Sequence, residues 1–362
     1  MSQAVHPVLA ASAPDGRAAA GRAGGFSGLM WLTWRQHRWA LLGSLLLTVV
    51  LTGWLAWLGH EMTTYFHQCH DRPCLPDTPQ EAALESQTGP FRLADDLLQF
   101  IQYQPLLIGV FLGVPLLARE HEQRTLLLAW SQDVPPQRWL WTKVALLGGA
   151  TALMTAAISL AADHVAHVMS DVTGDGLFEG DTFLDSGMLP LALGVAMFAV
   201  GVALGAAIRR VLPAALAAVA GFVGLFVLVK YRYPYLMTPL SRFRAVRDGT
   251  HGPGPAGGPN ALRIKTGVTI SPDRVGNLYD AAGRPLDAAG LDRLCPFASP
   301  NAVPARLPSC MSDHHLQTRL VYQPADRIGT FHAILAGGYA GLGLVALLAV
   351  WLVVRRTNLS AG

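Results

Sequence analysis

Apolar positions in this chain fall in long blocks instead of alternating with charge. Six stretches hold no Asp, Glu, Lys or Arg: Trp39 to Gly59, Leu97 to Ala118, Val144 to Ala162, Gly187 to Ile208, Val211 to Val229 and Thr330 to Val354. They are 21, 22, 19, 22, 19 and 25 residues long. A helix of about 20 residues crosses the roughly 30 Å hydrocarbon core of a bilayer, so each block predicts one spanning helix. Only Arg209 and Arg210 separate the fourth block from the fifth. Two adjacent charges at a bilayer centre would cost roughly 2.5 to 3.5 kcal/mol each, which predicts a tight turn there and not one long helix.

Between the fifth and sixth blocks lie 98 residues, Lys230 to Arg327, that carry 12 of the 24 prolines. A connector of that length predicts a small folded domain. Leu262, Ile264, Thr266, Val268 and Ile270 alternate with Arg263, Lys265, Gly267 and Thr269, the period-two pattern of a half-buried strand. Arg274 to Leu286, with Gly276 and Gly283 flanking Leu278 and Tyr279, suits a second strand and turns. At the other end of the chain, residues 1 to 29 are rich in Ala, Gly and Ser without apolar periodicity and are expected to be disordered. Trp31 to Arg38 then mixes Trp and Leu with Arg and His, as either an interfacial helix or flanking anchors for the first span would.

Composition fits a membrane protein: 51% of residues are hydrophobic and 14% charged, against roughly 25% charged in soluble domains. A net charge of +3 gives no reason to expect nucleic acid as a partner. Arg and Lys set the orientation. Arg35 and Arg38, then Arg119, Arg124, Arg138 and Lys143, then Arg209 and Arg210, then Arg355 and Arg356 fall on one side, which is expected to be cytoplasmic together with both termini. The loop from Asp163 to Ser186 has six acids and no Lys or Arg, as the outer side predicts. All four cysteines, Cys69, Cys74, Cys295 and Cys310, fall outside as well, where disulfides persist. Cys69 with Cys74 and Cys295 with Cys310 is the natural pairing among three possible connectivities. The second bridge would close a 16-residue loop, worth about 3 kcal/mol.

Candidate chemistry is sparse. The six blocks contain no ionisable side chain except His332, which reads as a polar anchor, and ion-coupled transport needs more than that. Gln99, Gln102 and Gln104 surround Tyr103 in the second block, placed either to bond between helices or to line a path. His67, Cys69, His70 and Cys74, and Cys310 with His314 and His315, resemble zinc ligands only superficially, because an oxidising compartment favours disulfides. Asp163, His164 and His167 read as a solvated group. With no nucleophile elbow and no His-Glu-x-x-His, neither an enzyme, a catalytic residue, a metal nor a cofactor is expected.

The longest cytoplasmic connection runs from Arg119 to Lys143. Arg119-Glu120-His121-Glu122-Gln123-Arg124-Thr125 reads as the start of a short helix, with Glu120 able to pair with Arg124 and with Pro135-Pro136 as its stop. Both glutamates are expected to be exposed.

Arg119-Glu120-x-Glu122-x-x-Thr125, Ala129-Trp130-Ser131-Gln132-x-Val134 and Arg138-Trp139-Leu140-x-x-Lys143 together resemble the cytoplasmic loop of type-two ABC transporter permeases, above all an actinobacterial subgroup. Trp31 to Arg38, Gly109-Val110-Phe111-Leu112-Gly113 and Tyr322-Gln323-Pro324-Ala325-Asp326-Arg327 match the same subgroup. Arg124 stands where the pattern usually has Gly, and Ile328-Gly329 replaces an aromatic pair. The resemblance implies the transmembrane subunit of an ATP-driven exporter in the cell membrane. Its partners would be membrane lipids, a second permease copy, identical or related, and a separate ABC ATPase. Glu120, Glu122, Thr125 and Arg138 would form the coupling contact with that ATPase.

The fold expected is thus an all-α polytopic membrane protein of six helices with a small β-containing extracytoplasmic domain before the last. It divides into an extension 1–29, spans one to five over 30–229 with a coupling loop 119–143, a domain 230–327, and a last span and tail 328–362. The competing readings are a membrane-anchored extracytoplasmic binding or sensor protein, for which six spans are more than an anchor needs, and a membrane-embedded metalloenzyme built on the His and Cys clusters, for which the spans lack catalytic polar groups.

Overall fold

The computed structural model describes residues 24–68, 90–123, 136–173, 176–178, 182–246, 261–265, 269–271, 274–295 and 307–359. Six of its helices are long and apolar enough to cross a membrane, matching the six charge-free blocks. The first is α1 (Gly24–Gln68). The second is assembled from α2 (Pro90–Ile101), α3 (Gln104–Ile108), a π-helical turn at Gly109–Gly113, and α4 (Val114–Glu122). The third is α5 (Pro136–Thr173), followed by the short α6 (Thr182–Asp185). The fourth and fifth are α7 (Leu189–Ile208) and α8 (Val211–Arg232). A small domain follows, with β1 (Leu240–Ala245), β2 (Leu262–Lys265), β3 (Thr269–Ser271), β4 (Arg274–Gly276), β5 (Leu278–Tyr279), α9 (Ala288–Leu294), α10 (Leu307–Asp313) and β6 (Gln317–Gln323). The sixth span, α11 (Ile328–Leu359), closes the chain. Gln36 of α1 bonds Lys143 of α5, and Leu41 of α1 and Val350 of α11 share a cluster with Leu117 and Leu140, so the N-terminal part of α1 and the C-terminal part of α11 lie at one end with Glu120 and Lys143, called here the loop end, as distinct from the domain end.

Three sequence expectations change. Helix α1 starts at Gly24, inside the segment expected to be disordered, because extending a nucleated helix costs far less than starting one; residues 1–23 lie outside the described residues. Trp31 to Arg38 continues that helix into the first span. Arg119 to Glu122 is the last turn of the second span and not a separate helix. Pro136 begins α5 instead of stopping a helix, a position where the missing N–H has no helical partner to lose.

The second span is irregular for a local reason. Pro105 cannot donate to the Ile101 carbonyl and would crowd it, so α2 ends there and Gln102-Tyr103 form a turn, with Tyr103 N donating to Phe100 O at 3.0 Å. Pro115 imposes the same problem one segment later, and the widened π turn before it absorbs the mismatch. That turn packs on α7, the central helix. A Cβ on Gly113 would meet Phe198 O at 2.6 Å, and one on Gly205 would meet Val114 O at 2.5 Å. The small residues therefore let two backbones touch, which in a membrane replaces the hydrophobic drive that water supplies elsewhere.

The expected turn between α7 and α8 is present. Arg209 takes a left-handed φ of 60°, with its N–H on Gly205 O at 3.1 Å, and Arg210 is extended.

Strand β6 organises the domain. It pairs antiparallel with β1 along one edge, Leu240 opposite Tyr322 through Ala245 opposite Gln317. On its other edge it pairs with β2 near Tyr322 and with β5 near Gln317. The strand expected over 262–270 is divided, and its later part forms a separate hairpin, β3 with β4. Gln323, fully buried, donates through Nε2 to Pro234 O at 3.0 Å and Met237 O at 2.7 Å and accepts from Arg327 at 2.8 Å. Leu262 of β2 joins Tyr233, Phe331 and Leu335 in one apolar cluster, seating the sheet on the ends of α8 and α11.

Candidate coupling site at the loop end

Three spans converge on one ammonium group. Lys143, on the second turn of α5, has a side chain only 3% exposed. Its Nζ donates to Gln36 Oε1 of α1 at 3.0 Å and to Glu120 Oε1 of α4, and it lies 4.1 Å from the centre of the Trp139 ring. A buried cation is tolerated only when it is paired and hydrogen-bonded, and here an acid, an amide and an aromatic face share that task. Apolar side chains of Leu41, Leu117, Trp139 and Leu140 belong to one cluster at this end, so the polar group sits against a dry wall.

Glu120 is thus not the exposed residue expected. Its side chain is 13% exposed, because α4 continues the second span and turns this position toward α5. Glu122, two residues on, points elsewhere: it is exposed, and its Oε1 accepts the backbone N–H of Val211 at 2.9 Å. The first N–H groups of a helix have no partner inside it, so an acid of the second span caps the fifth. Arg138 is exposed on the first turn of α5. Thr125 lies outside the described residues. The structure brings Glu120 to Lys143 and Gln36, two residues that belonged to the recognised motifs without a role. Their signal was a Lys bordering an apolar block with an acid bordering the preceding one.

The domain end holds a second polar seam. Gln102 Nε2 donates to the buried Asp185 Oδ2 at 2.9 Å, the interhelical bonding expected of these glutamines. Gln99 instead bonds Asp95 on its own helix at 2.9 Å. Asp163 Oδ1 accepts from Gly187 N at 2.7 Å, so this acid is structural as well as partly solvated. His332 contacts Ser186 Oγ at 3.1 Å and stacks on Phe183 with centroids 4.6 Å apart, as an anchor would.

Cys295 and Cys310 are joined, with sulfurs 2.00 Å apart and Cα atoms 5.9 Å apart. His314 lies beside them, the one three-residue grouping with metal-like spacing among the described residues. Both sulfurs are consumed by the bond, which leaves no thiolate to ligate. Cys69 and Cys74, with His67's neighbour His70, lie outside the described residues.

A family model described as ABC-2 membrane transporter related matches residues 45–233, just over half the chain. A second model, described as a domain of unknown function, matches residues 235–328. No curated protein and no solved structure matches. Glu120, Glu122, Arg138 and Lys143 all fall in the first matched range, whereas Gln36 precedes it.

Proposed function

This chain belongs to the ABC-2 membrane transporter related family, and from that premise we propose that it is the permease subunit of an ATP-driven exporter, working with a separate ABC ATPase. The sequence carries no Gly-x-x-x-x-Gly-Lys-Ser/Thr phosphate loop, so a second polypeptide supplies the nucleotide chemistry. Two copies of the chain, or one with a related subunit, complete the pathway in the cell membrane, and the loop end faces the cytoplasm.

The observation that carries this reading is the wiring of the loop end. The connection between the second and third spans is flanked by Glu120 and Lys143, whose pair also holds Gln36 of the first span, while Glu122 grips the fifth. A displacement imposed on residues 119–143 by an ATPase is therefore delivered to four helices at once. Arg138, exposed on the first turn of α5, is the cation offered to such a partner, and Thr125 is proposed to belong to the same contact.

The test is purification of the tagged chain from native membranes with its bound ATPase, followed by reconstitution in liposomes. Co-purified ATP hydrolysis is expected, and Arg138→Glu should reduce it while leaving insertion unchanged. Absence of any co-purifying ATPase, or full retention of hydrolysis by Arg138→Glu combined with Glu122→Lys, would overturn the proposal.

A further inference from the structure

Helix α1 has two unlike sides at the loop end. One packs inward, with Thr33 and Leu41 buried. The other carries Trp31, Arg35, Arg38, Trp39, Leu42 and Leu46, all exposed, at positions that recur about one turn apart and so share a helical face. Arg35 holds its guanidinium 5.4 Å from the centre of the Trp31 ring, and Arg38 holds its own 5.3 Å from the Trp39 ring. Among the described residues neither arginine has a carboxylate partner. Glu120 and Glu122, the acids described at this end, are bonded to Lys143 and to the Val211 N–H.

The charge-free block opens at Trp39, so Arg38 and Arg35 stand about 1.5 and 6 Å beyond it along the helix axis. A headgroup layer is roughly 5 to 7 Å thick on each side of the hydrocarbon, so both cations lie at the level of lipid phosphates, with Leu42 and Leu46 at the level of the acyl chains. A guanidinium braced on an indole keeps its charge and its donors and has given up rotamer freedom in advance. Two of them on neighbouring turns, with no acid of the chain to answer them, offer a fork of donors to one anion. A zwitterionic lipid brings its own ammonium into competition with them. The occupant that fits the whole face joins a phosphate of net negative charge to an acyl chain.

We propose that this face of α1 binds one anionic phospholipid, its phosphate held by Arg35 and Arg38 beside the Trp31 and Trp39 rings and its acyl chain laid along Leu42 and Leu46. The assignment needs only that α1 spans the membrane, and it does not depend on an ATPase partner. Gln36 of the same helix shares Lys143 with Glu120, so an occupied site steadies α1 at the end where the coupling contact is made. All four headgroup-level side chains are exposed, which lets them be changed without disturbing the packed side of the helix.

The experiment places the full chain in phosphatidylcholine nanodiscs with a trace of either phosphatidylglycerol or phosphatidylcholine that carries a diazirine in its acyl chain. Phosphatidylglycerol should label the peptide containing Leu42 and Leu46 about thirtyfold more than phosphatidylcholine does, the scale set by two interfacial arginines. On α5, exposed Leu153 and Leu160 have no Arg or Lys between Lys143 and the end of the helix, and their peptide should take both lipids equally. Arg35→Gln with Arg38→Gln should abolish the preference at α1, and Trp31→Leu with Trp39→Leu should weaken it with both charges retained. Inorganic phosphate should leave the preference intact relative to chloride at the same ionic strength. Equal labelling of the α1 peptide by the two lipids would overturn the site, as would a preference that survives the double Gln variant. Displacement by inorganic phosphate would reduce it to a simple anion site and defeat the lipid assignment. Shielding of Trp31 from a water-soluble quencher by a co-purified ATPase, with no lipid preference, would give the face to the protein partner instead.

Discussion

Glu122 at the end of the second span accepts the Val211 N–H at 2.9 Å, so one helix is capped by a residue 89 positions earlier in the chain. A cap supplied from within a helix's own sequence stabilises that helix alone; this one also fixes the distance between two spans at the loop end. Removing the acceptor should cost about 1 kcal/mol, as loss of other caps does. Glu122→Ala is expected to lower the melting temperature in detergent by a few degrees, and Glu122→Gln, which keeps an acceptor oxygen, by less. Identical melting of both variants and wild type would show that the contact holds nothing.

Lys143 and Glu120 should be costly to separate and cheap to remove together. Breaking a buried pair by deleting one partner costs roughly 3 to 5 kcal/mol, whereas replacing both by apolar groups is often neutral. Lys143→Met and Glu120→Leu are each expected to destabilise the chain strongly toward denaturant, with the double variant recovering more than half of the loss. Additive single effects would mean the two side chains do not depend on each other.

Glycines in the spans should divide into two classes. Gly113→Ala places a Cβ 2.6 Å from Phe198 O and must push α7 away from the π turn. Gly149→Ala meets nothing within 4 Å and should stabilise by about 0.5 to 1 kcal/mol through helix propensity. Thermal unfolding of the two variants in the same detergent checks the contrast; the opposite order would contradict the close approach of the second and fourth spans.

The Cys295–Cys310 bond should contribute about 3 kcal/mol to the domain by restricting its unfolded state. Cys295→Ser with Cys310→Ser is expected to make the domain sensitive to protease at concentrations that spare the parent. Mass spectrometry of non-reduced peptides from fresh membranes should find the linked pair, and free thiols at both positions would sink the prediction.

Orientation can be read at Arg284, whose side chain is 81% exposed. A single thiol introduced as Arg284→Cys should react with an impermeant maleimide on intact cells. Reaction only after permeabilisation would invert the topology.

The spans were legible because a bilayer punishes charge so heavily that charge-free runs mark them directly, and the Arg209-Arg210 interruption gave the hairpin between α7 and α8. The strand-containing domain before the last span was legible from its length and the alternation at Leu262 to Ile270, but its order was not, since β1 and β6 are paired across more than 70 residues. Pro105 and Pro115 announce breaks that a count of apolar residues passes over. At the loop end the acids were found by motif, yet Lys143 looked like one more flanking charge. Its burial depends on Gln36 and Glu120 arriving from two other helices, which no local pattern contains.

Strand β6 runs into α11 with only Pro324 and the turn Ala325–Arg327 between them, and Gln323 ties that junction to the carbonyls that follow α8. The sheet is accordingly joined to α11 by four residues and seated by hydrogen bonds on the segment that follows α8. A tilt of α8 against α11 during a transport cycle would swing the sheet through a larger arc than the helices themselves travel. A spectroscopic label on the far edge of the domain would then act as a pointer, reporting from the water phase a movement whose origin lies within the bilayer.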